Sequence, residues 1–301
     1  MTKPLCIYHG NCADGFGAAW AVRAHLGSEK VDFYGATYQQ APPDVTGRDV
    51  IMVDFSYKRP VLEAMGLQAK SILILDHHKS AAADLAGYPE PPADLGEMRG
   101  WLPDSGIYAR FDMERSGAGL AWDHFHPGPR PTLLNHIEDR DLWRFALTGT
   151  RKIQAAVFSY PYDFDLWDKL MDSPVDMFAV EGAAIERKHF KDIAELIGVC
   201  TRKFPITVPH PDGMVGGTVE LDIEFANLPY TLTSDAGHDL AKRSHHGVGG
   251  CYWDTPEARV FSLRSTDNGL DVSAIASIYG GGGHAHAAGF SVPRDHALAR
   301  F

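Results

Sequence analysis

Apolar and polar residues fall in blocks along the first third of the chain, and three of the apolar blocks end the same way. Cys6-Ile7-Tyr8 runs into His9, with Asp14 five residues on; Val50-Ile51-Met52-Val53 ends at Asp54; Ser71-Ile72-Leu73-Ile74-Leu75 ends at Asp76-His77-His78. Short β-branched runs bounded by polar residues read as buried parallel strands. Between them lie stretches with helical character: Ala18 to Leu26, closed by Gly27, with Asp14 where an N-cap would stand, and the segment near Pro60–Gly66. Strands alternating with helices argue for an α/β fold with a mostly parallel sheet. In such sheets ligands bind at the carboxyl ends of the strands, so the pattern gathers carboxylates and imidazoles at one rim. Unpaired like charges so placed repel and shift one another's pKa, which points to a cation and to metal-assisted chemistry.

Further along, residues 84–106 read as loop, with Pro89, Pro91, Pro92 and Pro103. Ile107 to Phe111 reads as a fourth strand, followed by a helix start of small residues, Ser116-Gly117-Ala118-Gly119. That helix N-terminus, with Arg115 beside it, suits a phosphate; the small residues suit close packing of helix on sheet equally well. Leu133, Leu134 and Ile137 have helical spacing and lead into Glu138-Asp139-Arg140-Asp141-Leu142-Trp143. Phe178, Ile185, Phe190, Ile193 and Ile197 predict one long helix from Val175 to Val199. Beyond Phe204-Pro205 the sequence turns strand-rich, at Ile206–Val208, Thr218–Ile223 and Arg259–Leu263. The organisation expected is a metal-binding domain over 1–175, a linker helix over 176–200 and a smaller mixed-sheet α/β domain over 201–301, with the active site in the cleft between the domains.

Composition narrows the function. Hydrophobic residues at 45% and charged residues at 22% are those of a soluble globular protein. No run approaches the roughly eighteen apolar residues of a membrane span, and no signal-peptide pattern opens the chain. Cys6, Cys12, Cys200 and Cys251 show no Cys-x-x-Cys spacing, and a reduced, cytoplasmic protein is the expectation. A net charge of −11 argues against a surface for long nucleic acid. A short anionic substrate remains compatible with it. No membrane partner is expected, and a homodimer is left open.

Taken in order, His9…Asp14, Asp54, Asp76-His77-His78 and Asp139 resemble the four motifs of the DHH phosphoesterase superfamily. Gly280-Gly281-Gly282-Gly283-His284-Ala285-His286-Ala287-Ala288-Gly289 resembles the glycine-rich signature of the DHH-associated C-terminal domain. Ser262-Leu263-Arg264-Ser265 and Asp271–Ala276 resemble the stretch before that signature. The Asn-Cys-Ala-Asp-Gly and Glu-Asp-Arg-Asp-Leu-Trp variants look closest to the oligoribonuclease and cyclic-nucleotide phosphodiesterase branch.

The resemblance implies two divalent metal ions, usually Mn2+, with Mg2+, Co2+ or Zn2+ as alternatives. Asp54 would bridge them. His77, Asp14 and Asp139 would complete one site, and His9 with Cys12 or Asn11 the other. Imidazole and carboxylate ligands suit Mn2+ and similar ions, and Cys12 would be a softer ligand than usual. Asp139 is preferred to Asp141 in the fourth motif, the other being expected in a surface ion pair with Arg140 or Arg144. Asp76 and His78 would take catalytic, orienting or phosphate-contacting roles. Arg115, Arg264, Ser265, Gly282, Gly283 and His284 would bind substrate: glycines admit a close backbone approach, and a guanidinium offers a fork for phosphate. The implied activity is hydrolysis of short oligonucleotides, dinucleotides or cyclic nucleotides. Pyrophosphate or polyphosphate hydrolysis, with Lys79, Arg115 and Arg140 as basic candidates, and a non-catalytic nucleotide sensor are the alternatives.

Overall fold

A computed structural model describes residues 2–38, 40–92, 100–210 and 217–300. They form two compact units, Met1–Glu186 and Arg187–Phe301. The first holds five parallel strands in the order β2-β1-β3-β4-β5, where β1 is Leu5–His9, β2 Asp32–Ala36, β3 Asp49–Val53, β4 Ser71–Asp76 and β5 Gly106–Phe111.

Alternation along the strands sorts their side chains into two cores, as the period of two requires. Cys6, Ile51, Val53, Leu73 and Leu75 face one cluster. It also holds Phe16, Trp20 and Val22 of α1 (Ala13–Leu26) and residues of the later helices: α4 (Gly117–Phe125), α5 (Thr132–Asp141), α6 (Thr150–Val157) and α7 (Phe164–Met171). Leu5, Ile7, Val50, Met52, Ile72 and Ile74 face the other cluster, with Leu62 and Met65 of α2 (Arg59–Gly66) and with Leu85, just past α3 (Lys79–Asp84). Helices on both faces make Val50–Val53 of β3 and Ile72–Leu75 of β4 continuously apolar, which is why they read as unbroken runs. The stretch 84–106 expected as loop contains 93–99, which lie outside the described residues.

In a sheet of order 2-1-3-4-5 the connections leave β1 and β3 toward opposite faces, and the crevice between those strand ends is where ligands bind. His9 ends β1, and Asp54 follows β3 directly.

Helix α1 starts at Ala13, five residues before the expected Ala18. Cys12 therefore occupies the N-cap position, without a capping side-chain bond, and Asp14 lies in the first helical turn. Strand β2 and helices α6 and α7 do not stand out in the sequence as separate blocks.

The chain passes between units along α8 (Val175–Cys200). The second unit is a six-stranded mixed sheet in the order β10-β11-β9-β8-β7-β6, formed by β6 (Thr201–Pro209), β7 (Thr218–Asn227), β8 (Val248–Asp254), β9 (Ala258–Ser265), β10 (Gly282–His284) and β11 (Ala287–Pro293). Among the described residues only the β7–β8 pair is parallel. Phe204, Phe225, Tyr252 and Phe261 fill one face of this sheet beneath α10 (Val272–Ile278). Leu240 of α9 (Thr233–Arg243), with Ala226, Cys251, Ile193 and Ile197, fills the other.

Candidate metal centre

Around the ends of β1, β3 and β4 the first unit gathers Asp14, Asp54, Asp76 and Asp141 with His9, His77 and His78. Asp54 is the residue the others share. Its Oδ1 lies 3.0 Å from His77 Nε2 and its Oδ2 3.5 Å from His9 Nδ1. The backbone turns sharply there, with Asp54 in the left-handed region at φ 54°, a conformation that Asp tolerates better than most residues. His77 Nε2 also stands 3.8 Å from Asp14 Oδ2 and 3.6 Å from Asp141 Oδ2.

Ligand-type atoms of the first unit therefore fall into overlapping groups, each within 4.8 Å: His9, Cys12 and Asp54; Asp14, His77 and Asp141; Asp54, Asp76 and His78. Asp14, His77, Asp54 and Asp76 are buried, while His9 keeps 27% of its side chain exposed.

Glycine makes this density feasible at two points. A Cβ on Gly117 would fall 2.3 Å from the Asp54 Cβ, and one on Gly15 would fall 2.2 Å from the His9 carbonyl oxygen. The small residues opening α4 thus serve close packing. The N-terminus of α4 receives a carboxylate of this chain rather than a phosphate: Gly117 N and Ala118 N donate to Asp14 at 2.6 and 3.1 Å. A carboxylate is well placed at the positive end of a helix. Asp14 is thus tied to the start of a different helix from the one it was expected to cap.

Asp76 organises the third group from beneath. Its Oδ1 accepts the His77 and His78 backbone N–H groups at 2.7 and 3.3 Å and stands 2.7 Å from His78 Nδ1. That contact assigns the ring proton of neutral His78 to Nδ1 and makes Nε2 the basic nitrogen. Asp76 Oδ2 is buried without a hydrogen-bond partner among the described residues.

Electrostatics follow from the crowding. Burial works against the Asp54 carboxylate, yet the hydrogen bonds from His77 and His9 hold it far below the usual range. Burial, with repulsion from Asp141 and Asp54, pushes Asp14 up. Burial and Asp54 likewise raise Asp141, against the pull of His77. Burial alone would lower His77, but Asp54, Asp141 and Asp14 raise it overall. The donor set fits divalent cations: mixed imidazole and carboxylate, a shared carboxylate in the middle, and a buried carboxylate oxygen without a donor. A cation would take the place of the protons that the crowded carboxylates and imidazoles otherwise hold.

The fourth motif departs from expectation. Asp141, at the end of α5, faces His77, whereas Asp139 is buried away from the cluster. Asp139 accepts from Ala146 N at 2.7 Å, Leu147 N at 3.0 Å and the Thr150 hydroxyl at 2.5 Å. The structure thus brings Asp141, and not Asp139, beside Asp14 and His77. Nor is Asp139 in a surface ion pair, because it clamps the turn into α6. Glu138 holds α5 against α4, accepting from Ser116 N at 3.0 Å and pairing with Arg130 at 2.8 Å. The Arg140 guanidinium lies over the rings of Trp143 and Phe158.

Cys12 stands with His9 and Asp54, so position alone leaves it a candidate beside them. Asn11 adopts left-handed backbone, φ 57°. Arg115 is bound to Asp112 at 2.8 Å and Asp123 at 3.0 Å, which spends its charge on the α4 framework.

In the second unit, strand register puts His284 opposite Ala287 and Ala287 opposite Arg264, so His284 and Arg264 stand in one row across three strands. Arg264 donates to Ser234 Oγ at 2.7 Å and Ser262 Oγ at 3.0 Å. Ser265, next along β9, points to the opposite face and is buried 3.0 Å from His286 Nδ1. It does not share the Arg264 surface. Gly282 and Gly283 form β10 on the sheet edge, and a Cβ on Gly283 would lie 2.7 Å from the Ala288 Cα. Packing within the hairpin therefore already demands Gly283.

The fold and the cluster together define a two-unit α/β protein with a carboxylate–imidazole centre on a parallel sheet. Several solved structures are similar to it over most of its length. They include a pGpG-specific phosphodiesterase, PggH, from Vibrio cholerae (15% identity, 97% of this chain and 94% of that one, TM-score 0.45). Another is the exonuclease RecJ bound to manganese (14%, 97% and 86%, TM-score 0.49). A third is an exopolyphosphatase-related protein from Bacteroides fragilis (12%, 96% and 86%, TM-score 0.40). An uncharacterized protein of Acanthamoeba polyphaga mimivirus is 28% identical over 95% of this chain and 67% of the viral protein. No family model matches the sequence.

Proposed function

We propose that this chain is a metal-dependent phosphoesterase of the DHH type that cleaves phosphodiester bonds in short oligonucleotides, dinucleotides or cyclic nucleotides. The observation that carries the reading is Asp54, whose two carboxylate oxygens face His77 and His9 separately. A carboxylate so placed can belong to two ion sites at once. Asp14, His77 and Asp141 would complete one site. His9, with Cys12 beside it, would complete the other. Two divalent ions, Mn2+ first among them, would activate a water and neutralise charge on the phosphoryl oxygens.

The remaining roles fall to the chain's own groups. His78, fixed through Nδ1 by Asp76, would present Nε2 to the substrate: protonated, it donates to a phosphate oxygen or to the leaving oxygen; unprotonated, it accepts a proton from the attacking water. Asp76 sets the ring's orientation. Arg264 and His284, in one row on the second sheet, offer a guanidinium and an imidazole suited to an anionic group.

Polyphosphate cleavage is less well supported. Of the basic candidates Lys79, Arg115 and Arg140, Arg115 is paired with Asp112 and Asp123 and the Arg140 guanidinium lies over Trp143 and Phe158.

The test is hydrolysis of a substrate panel (5′-phosphorylated dinucleotides, cyclic mononucleotides, polyphosphate) with Mn2+, Mg2+ or Co2+. Metal-dependent release of mononucleotides by the wild type and none by Asp54→Ala is expected. Metal binding without turnover of any substrate would overturn catalysis in favour of a sensor.

A further inference from the structure

Tyr38 lies two residues beyond the end of β2, and nothing in the catalytic scheme uses it. Its ring packs against three others: Phe55 at 5.1 Å between centroids, His9 at 5.4 Å and His78 at 5.9 Å. Two of those rings border the carboxylate cluster, and Phe55, the neighbour of Asp54, is fully buried. Tyr38 nevertheless keeps 48% of its surface exposed. It is thus wedged on one side and open on the other, immediately beside the donor atoms.

An aromatic ring held in place by its neighbours presents a rigid apolar surface at little entropic cost to a ligand. Purine and pyrimidine faces stack on such surfaces whatever the base. We propose that Tyr38 is a substrate-binding wall on which the nucleobase attached to the bound phosphate stacks. This inference rests on the nucleotide reading given above. It assigns the base end of the substrate to the first unit, beside His9 and His78.

The experiment is calorimetric and needs no turnover. Binding of AMP and of ribose 5-phosphate, which differ by the base, is measured in Mn2+ for wild type, Tyr38→Phe, Tyr38→Leu and Tyr38→Ala. Stacking predicts that wild type and Tyr38→Phe bind AMP about tenfold or more tightly than ribose 5-phosphate. Tyr38→Leu and Tyr38→Ala should lose that preference while binding ribose 5-phosphate as wild type does. The leucine variant keeps apolar bulk, so a packing defect is separable from loss of the ring. A base preference that survives in both variants, or is missing from wild type, would overturn the proposal. If AMP binding follows the prediction but no phosphodiester is cleaved, the wall stands and the hydrolytic reading falls. If phosphodiesters are cleaved but the variants keep the base preference, hydrolysis stands and the wall falls.

Discussion

Gly117 and Asp54 approach so closely that one added methyl group would place two β-carbons 2.3 Å apart. The atom in the way is the Asp54 Cβ itself, close to the backbone and unable to swing aside. Gly117→Ala should therefore displace the shared carboxylate. We expect a loss of Mn2+ affinity of about tenfold to 100-fold, together with about 1–3 kcal/mol of overpacking destabilisation. Calorimetric Mn2+ titration beside a denaturant melt separates the two effects. Unchanged affinity would mean that Asp54 does not bind metal.

Asp139 and Asp141 should part company when each is changed to Asn. Asp139 holds two backbone N–H groups and a hydroxyl in a buried turn, so Asp139→Asn should cost about 2–3 kcal/mol of stability. Its effect on Mn2+ affinity should be the smaller of the two. Asp141→Asn relieves repulsion on Asp14 and should leave the metal-free protein at least as stable as wild type, while Mn2+ affinity falls at least about tenfold. The opposite pattern would restore Asp139 as the ligand.

Cation binding should itself stabilise the fold. With free Mn2+ at about 100 times its Kd, linkage gives roughly 2.7 kcal/mol of added stability. Thermal melts with and without Mn2+ should show this for wild type and not for Asp54→Ala. Cys12→Ser belongs in the same series: a weaker shift would make the sulfur a ligand, and an unchanged one would make Cys12 a packing residue.

His124 offers a pH test away from the centre. It is buried with Nε2 2.8 Å from the Trp101 carbonyl oxygen, and burial pushes its pKa down to about 4 from the ordinary 6.5. A folded pKa below the unfolded one gives stability that is complete above about pH 6.5 and lost as the pH falls toward 4. The loss amounts to about 3 kcal/mol. His124→Gln, which does not titrate, should lose that much less stability than wild type between pH 7 and 4. Parallel pH profiles in urea melts would contradict this.

Much of the first unit is legible in the sequence because its central strands are covered on both faces. Val50–Val53 and Ser71–Leu75 are apolar at every step of β3 and β4 or nearly so, and their polar ends mark the rim of the sheet. Strand β2 is hard to read because it lies on an edge, where Asp32-Phe33-Tyr34-Gly35 is mixed in character and partly exposed. The start of α1 is obscured because Asp14 and Gly15 look like cap and turn residues. What overrides that local signal is tertiary: the first N–H groups of α4 donate to the Asp14 carboxylate, and the His9 carbonyl requires the glycine. The choice between Asp139 and Asp141 turns on which way the end of α5 faces, and spacing alone does not set that. Tyr38 is hidden for a related reason: its neighbours come from three separate strand ends.

Every member of the carboxylate–imidazole cluster except Asp14 and Asp141 stands at the last residue of a strand or within two residues beyond it. The chain entering β4, at 67–70, lies at the far edge of the sheet, where Leu67 is 91% exposed. Length can be added there without disturbing the donor atoms, which makes that edge the natural place to graft a tag, a reporter or a tether onto the folded protein.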